Sequence, residues 1–324
     1  MTGFVKRNAW VIGLFALFAA LVVLTRTIQP DYGAAGFGSL VQAVLPFAFA
    51  VAAQTVVVIA GGIDLSIASM MALTSVTAAV LMDGQTESFA ILVVPMVLLL
   101  GVLLGAINGA LIVISRVPDI VVTLAMLFVW QGTALLVLET PGGAAAEWLK
   151  SLLVGTVAIP GVPTAITDWI PRALVVLLVC LAVVFVPLYR SRLGLSIYAI
   201  GSNNLAAFRS GVSVGWTRIA AYAIGGLFAA MGGLVLTLST GIGAPIPGPY
   251  LLASVAAVVL GGVALTGGTG GIVGPIVAVF ILRLVRSDLT FLAVDPNVTT
   301  IVEGAIMVVV VMLGALLALR RRAT

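Results

Sequence analysis

The chain is predicted to be an all-α polytopic membrane protein of about ten transmembrane helices, and three observations predict it. Of its 324 residues, 62% are hydrophobic and only 8% charged, with a mean hydropathy of +1.30, far outside the usage of soluble domains. Apolar runs recur along the whole length, and at roughly 20 apolar residues per crossing they supply about ten spans. Lys and Arg collect on alternate connecting segments, as they do on the cytoplasmic side of membrane proteins.

The elements follow in order. Lys6 and Arg7 precede an apolar run at 9–28. It is too long for the apolar core of a cleaved signal peptide, so it reads as a retained first span. Further spans are predicted at 40–60, 67–82, 89–114, 120–138, 171–189, 219–240, 251–265, 272–285 and 298–319. The short 251–265 run also suits a broken or re-entrant helix, which a membrane tolerates where protein or a wet cavity covers the freed backbone groups. The whole of 1–324 reads as one transmembrane domain, with no room for a soluble one.

With the N-terminus inside, Lys6, Arg7, Arg116, Arg190, Arg192, Arg209, Arg218, Arg320, Arg321 and Arg322 face the cytoplasm, ten of the fifteen basic residues. Arg26, Lys150, Arg172, Arg283 and Arg286 fall outside with most of the acidic residues, so both termini are expected in the cytoplasm. The net charge of +4 follows from lipid-proximal arginines and gives no reason to expect a nucleic-acid partner. No histidine occurs and Cys180 stands alone in an apolar run, where it reads as packing. Disulfide frameworks, thiolate metal sites and histidine relays are removed together, and no catalytic residue, metal or cofactor is expected.

One inner segment stands out. Residues 190–218 carry Arg190, Arg192, Arg209 and Arg218 with no acid, and 204–210 suits a short helix of its own. A membrane protein driven by a soluble motor needs such a docking loop. The longest outer segment, 139–170, is broken by Pro141, Gly142, Gly143, Pro160, Gly161 and Pro163 and holds Trp148 and Trp169, which suit the headgroup layer or a landing surface for an external binding protein.

Three features suggest chemistry. Gly61-Gly62-Ile63-Asp64-Leu65-Ser66 interrupts the apolar pattern between two spans. Its glycines permit a tight backbone, and Asp64 or Ser66 either caps the next helix or marks a polar cavity. Glu303 lies inside the last span with no basic residue near it in sequence; it snorkels, bonds a neighbouring helix or faces a solute path. Asn108 and Gln131 are uncharged cases of the same kind. The glycines at 261–262 and 267–271 lack the Lys and Ser/Thr of a phosphate-binding loop, so they read as close-packing and turn residues rather than an ATPase site. A weak echo links 105–132, with Pro118-Asp119 between helices, to 274–304, with Asp295-Pro296, as an inverted repeat would.

GGIDLSIAS at 61–69, VPDIVVTLAMLFVWQG at 117–132, GLSIYAIGSNNLAAFRSGV at 194–212 and PYLLASVAAVVLGGVALTGGTGGIVG at 249–274 together resemble the permease subunits of bacterial ABC sugar importers of the ribose permease type. The resemblance spans nearly the whole chain. It implies an inner-membrane permease fold of ten helices, a second permease subunit, same or different, a cytoplasmic ABC ATPase and a periplasmic binding protein that selects a sugar-like small molecule. It further implies that Asn203, Asn204, Leu205, Ala206, Ala207, Phe208, Arg209, Ser210 and Gly211 form the coupling segment that enters a groove on the ATPase. Asp64, Asn108, Gln131 and Glu303 are the candidate pathway residues. The chain departs from the pattern at Asn203-Asn204-Leu205, where an acid more often follows the asparagine, and at Glu303, where an uncharged or basic residue is commoner. The competing reading is an ion-coupled secondary transporter or channel that uses Asp64 and Glu303; an enzyme has too little catalytic equipment here.

Overall fold

The computed structural model describes residues 2–158, 160–246 and 248–323, without the side chains of 2–8, 307, 310–311 and 313–323. The charges at Lys6, Arg7, Arg320, Arg321 and Arg322, on which part of the orientation argument rests, lie outside the described side chains.

Among the described residues the architecture is helical, with no strand. In chain order the helices are α1 Thr2–Ile28, α2 Ala34–Ile59, α3 Ile67–Met82, α4 Ala90–Ser115, α5 Asp119–Val137, α6 Glu147–Ser151 and α7 Thr164–Thr167. They continue with α8 Arg172–Arg190, α9 Arg192–Ser202, α10 Asn204–Arg209, α11 Val214–Thr240, α12 Tyr250–Leu260, α13 Val273–Phe291 and α14 Pro296–Ala323. Prolines start several of them: Pro118, Pro171 and Pro249 cap α5, α8 and α12, and Pro296 opens α14, where a missing N–H costs nothing. Gly241 ends α11 in the left-handed conformation.

α2 is the axis of the bundle. Every residue from Val44 to Ile59 is buried, because apart from Gln54 and Thr55 its sequence is apolar on all sides and so suits a helix surrounded by others. α11, α13, α8 and α12 pack around it, α11 also holds α4 and α3, and α1 rides on α13. Lipid tails give no hydrophobic drive for helices to associate, so close approach matters. Gly101 and Gly105 of α4 meet Gly226 and Tyr222 of α11, and a methyl group at Gly105 would strike the Tyr222 carbonyl oxygen.

Among the described residues, six helical segments are long and apolar enough to cross a membrane: Ala9–Ile28, Ala34–Ile59, Glu87–Ser115, Asp119–Val137, Arg172–Arg190 and Val214–Thr240. The predicted 251–265 span is shorter than expected. α12 stops at Leu260 because Gly261 and Gly262 follow, Gly262 with φ +84°. Its eleven residues rise about 16 Å against a hydrocarbon core of about 30 Å. α11 begins at Val214, so Arg218 belongs to a helix rather than to the predicted loop. α13 runs to Phe291, so Arg283, Arg286 and Asp288 sit in that helix and not in an outer loop. Leu282, Leu284, Val285 and Leu289 sustain its apolar pattern around them. The two segments of the internal echo are both helical pairs, α4–α5 and α13–α14, joined at Pro118-Asp119 and Asp295-Pro296. In the long 139–170 segment, Trp148 Nε1 donates to the Glu87 carbonyl at 2.8 Å and Arg26 lies over the Trp169 ring.

Candidate functional site

Two regions of the bundle gather buried ionisable side chains with their partners. At one end the break after α2, the α4–α5 link, the α9–α10 segment and the glycine run after α12 all meet. Asp64 is 1% exposed. Its Oδ1 accepts from the Ser66 backbone N–H at 2.8 Å and from the Ser66 hydroxyl at 2.6 Å, which fixes the first turn of α3. Ser66 Oγ in turn accepts from Asn108 Nδ2 at 2.7 Å, and Asn108 Oδ1 accepts from Trp130 Nε1 at 3.1 Å. One chain of side chains thus ties α3, α4 and α5. Asp64 Oδ2 is buried with no hydrogen-bond partner among the described residues.

Next to this chain, Thr123 Oγ1 accepts from the Leu65 N–H at 3.1 Å, holding α5 to the break. The Tyr222 hydroxyl donates to Asp119 Oδ2 at 3.0 Å, and Arg218 approaches Asp119 Oδ1 at 3.8 Å, which binds α5 to α11. Gly62 lies flat against that pair; a methyl group there would meet Asp119 Oδ2 and the Tyr222 hydroxyl.

The α9–α10 segment joins the same assembly through backbone. The Gly268 N–H donates to the Ile59 carbonyl at 2.9 Å, and Gly201 fits between them so closely that a methyl group would strike both. Tyr198 donates to the Gly270 carbonyl at 2.8 Å and shares a 3.0 Å hydroxyl contact with Tyr189. Burial, with Tyr189 adding to it, pushes the Tyr198 phenol above its ordinary pKa, so it remains a donor. α9, through Tyr198 and Gly201, therefore touches both helix breaks, 60–66 and 261–272.

α10 itself is capped by Asn203, whose side chain accepts from the Ala206 N–H at 2.9 Å. Only Ala207 of its residues turns inward, while Leu205 and Phe208 are 59% and 67% exposed. Asn204, Ala206, Arg209, Ser210 and Gly211 are exposed beside them. An outward apolar pair on a short helix is a surface in want of a partner.

Away from that end, at mid-height on α2 and α13, a cleft opens between α2, α12, α13 and α14. Phe47, Pro249, Tyr250, Ala253, Leu282, Arg283, Arg286 and Glu303 line about 430 Å³ of space, part of it open to the outside of the molecule. Glu303 accepts from Arg286 Nη1 at 3.2 and 3.1 Å through its two oxygens. The Arg283 guanidinium lies 5.2 Å from the Phe47 ring centre and 6.0 Å from that of Tyr250. Its Nε is buried with no partner among the described residues.

The structure thus joins Asp64 and Asn108 through Ser66, sets Glu303 in the separate cleft, and leaves Gln131 half-buried on α5 next to Trp130. Sequence reasoning missed Trp130, Tyr222, Asp119, Phe47 and Tyr250 as members of these sites. It also missed the partner of Glu303. The signal was present: Arg286 and Glu303 are equally far from the tip of the α13–α14 hairpin at Val294-Asp295, which brings such positions side by side.

Residues 36–311 match the family described as "Branched-chain amino acid transport system / permease component". Among curated proteins, the chain is 30% identical over 322 residues to the Autoinducer 2 import system permease protein LsrD of Escherichia coli strain K12, covering 94% of this chain and 92% of that one. The LsrD proteins of Escherichia coli O157:H7 and of Shigella flexneri match at the same identity and coverage. No solved structure matches.

Proposed function

The chain belongs to the permease-component family of branched-chain amino acid transport systems, as a multi-pass inner-membrane subunit of an ABC importer and not an enzyme, and from that premise we propose how it works. It carries a sugar-like solute through a path made with a second permease subunit, same or different. ATP is hydrolysed by a separate cytoplasmic ATPase, and an external solute-binding protein delivers the cargo. Both termini and α10 face the cytoplasm, in keeping with the arginines around α9 and α10. The apolar outer faces of α4 and α5, with Ile91, Leu92, Met96, Leu99 and Phe128 exposed, suit lipid or the second subunit.

The observation that carries this reading is α10: a capped helix that presents Leu205 and Phe208 outward while the adjoining Gly201 is wedged against the Ile59 carbonyl and Gly268. A soluble motor that grips Leu205 and Phe208 pulls on both helix breaks at once. Each nucleotide state of the ATPase then favours one permease conformation over the other, as differential affinity requires. On this reading Asp64 and Asn108 hold the moving end together, and Glu303 faces the solute.

The test is ATP-dependent uptake of a radiolabelled sugar by proteoliposomes holding the permease, its ATPase and its binding protein. Leu205→Glu with Ala206→Asp should abolish uptake while the permease keeps its melting temperature. Full uptake without any ATPase would replace this reading with ion-coupled transport through Asp64 or Glu303.

A further inference from the structure

The corner between α8 and α9 combines two features that the import reading does not use. Between α2, α8 and α9 lies an apolar groove of about 250 Å³, partly open to the outside of the molecule, with Val56, Ile59, Phe185, Leu188 and Ile197 in its walls. The Tyr189 and Tyr198 hydroxyls, also in the wall, meet each other at 3.0 Å, and Tyr198 donates onward to the Gly270 carbonyl. Both are therefore satisfied, and the groove calls for an apolar occupant.

At the edge of the groove, Arg190 ends α8 and Arg192 begins α9. Both are exposed, and neither joins an ion pair among the described residues, where the paired bases are Lys150, Arg218 and Arg286. The turn between them is tight. Ser191 Oγ accepts from the Gly194 N–H at 3.1 Å, and a methyl group on Gly194 would strike the Leu188 carbonyl oxygen. Leu188, Tyr189 and Gly194 flank the two arginines in sequence and line the groove, so the charges stand beside its mouth. The bland explanation is a pair of topology-setting arginines next to a packing gap. Topology asks only for basic residues on this side, which Arg116 and Arg209 also supply, and it does not explain two free guanidinium groups gathered at one apolar opening.

We infer that this corner holds one anionic phospholipid, with its phosphate between Arg190 and Arg192 and part of an acyl chain in the groove. The inference goes beyond the import reading and takes from it only the cytoplasmic placement of this end. Anionic headgroups face the cytoplasm and are drawn to arginines at the membrane surface. Guanidinium forks match phosphate oxygens, whereas the ammonium of a zwitterionic lipid gains nothing from a site with no free carboxylate. Free phosphate leaves the groove empty. Val183, Val186 and Leu195 on the same two helices are exposed and apolar, which suits the surrounding lipid tails. Occupancy also bears on coupling. α9 reaches both helix breaks through Tyr198 and Gly201, so a lipid that clamps the α8–α9 corner steadies the element that joins them.

The test is native mass spectrometry of the full-length chain in detergent micelles with increasing dioleoyl phosphatidylglycerol or dioleoyl phosphatidylcholine. Wild type should retain one phosphatidylglycerol in preference to phosphatidylcholine. Arg190→Gln/Arg192→Gln should weaken that retention at least about fivefold, since each surface arginine contributes to holding an anionic lipid. Arg116→Gln/Arg209→Gln removes the same charge from exposed positions of the same end and should change it less than about twofold, because distant surface charges are screened. Chain burial is read in two ways. Leu188→Trp narrows the groove with every charge in place and should weaken retention, with its melting temperature measured as a check on folding. On the wild type, excess inorganic phosphate should fail to displace the lipid. Equal retention of the two lipids, equal losses in the two arginine pairs, full retention by a folded Leu188→Trp chain, or displacement by phosphate would overturn the inference. The assay uses neither ATP nor partner proteins, so its failure leaves the import reading standing, and failure of ATP-driven uptake leaves this one standing.

Discussion

The α9–α10 end and the cleft use their polar groups differently. At the α9–α10 end, Asp64, Ser66, Asn108 and Trp130 bond one another in sequence, and glycines bring Ile59, Gly201 and Gly268 into backbone contact. Most of these groups are spent on holding helices together, although Asp64 Oδ2 has no partner among the described residues and an apolar cleft lies beside Ile59, Tyr189 and Tyr198. At the cleft, Arg283 Nε has no hydrogen-bond partner among the described residues, the Phe47 and Tyr250 rings pack at 6.0 Å, and part of the space is open to the outside. The contrast teaches that hydrogen bonds and glycine contacts tie one region together, while the other keeps open space beside an ion pair.

Gly201→Val should break the comparison most severely. Its side chain has no room between the Ile59 carbonyl and Gly268, so a loss of about 3 kcal/mol is expected from overpacking, together with loss of coupled uptake. Chemical denaturation in detergent micelles checks the first and proteoliposome uptake the second. Filling the open end with Ala253→Phe should leave stability nearly unchanged in the same denaturation series. A second probe of the closed end is Asn108→Leu, which orphans Trp130 Nε1 and removes the donor to Ser66. About 2 kcal/mol is expected, since a buried group left unpaired loses its solvation without recompense.

A smaller effect sharpens the contrast at the cleft. Arg286→Met alone leaves Glu303 unpaired and should cost about 1 to 2 kcal/mol, reduced from a fully buried pair because the Arg286 side chain is 41% exposed. Arg286→Met/Glu303→Met should recover most of that loss. A double-mutant cycle on melting temperature reads it, and equal losses in single and double variants would mean that the pair has no coupling. Smallest of all, Phe208→Glu should change the isolated permease by less than about 0.5 kcal/mol, because the side chain is solvent-facing, yet reduce coupled uptake at least tenfold.

Much of this was legible in the sequence, and what was not has a physical reason. Long apolar runs mark α1, α2, α4, α5, α8 and α11 because a spanning helix needs no partner to be recognised. The end of α12 was harder, since Gly261-Gly262 stops it five residues before the apolar run ends. The α10 helix and its asparagine cap are visible in NNLAAFR, whereas the outward direction of Leu205 and Phe208 follows from which face of α10 buries Ala207, a tertiary contact. Asp64 and Asn108 could be singled out as polar residues in apolar runs, but their connection runs through Ser66, 42 residues from Asn108, and nothing local encodes it. Glu303 invited a search for a basic neighbour in sequence, and the partner came from the preceding helix instead.

The central claim is that the α10 end and the cleft are two ends of one device. With Cys180→Ser as background, Ala253→Cys places a single thiol on the cleft wall of the reconstituted importer, and its rate of labelling by a membrane-impermeant reagent is measured with and without a non-hydrolysable ATP analogue. The account predicts that nucleotide changes that rate several-fold when α10 is intact and leaves it unchanged when Leu205→Glu and Ala206→Asp are present. A labelling rate indifferent to nucleotide in the intact importer, or one that responds equally in both, would contradict it.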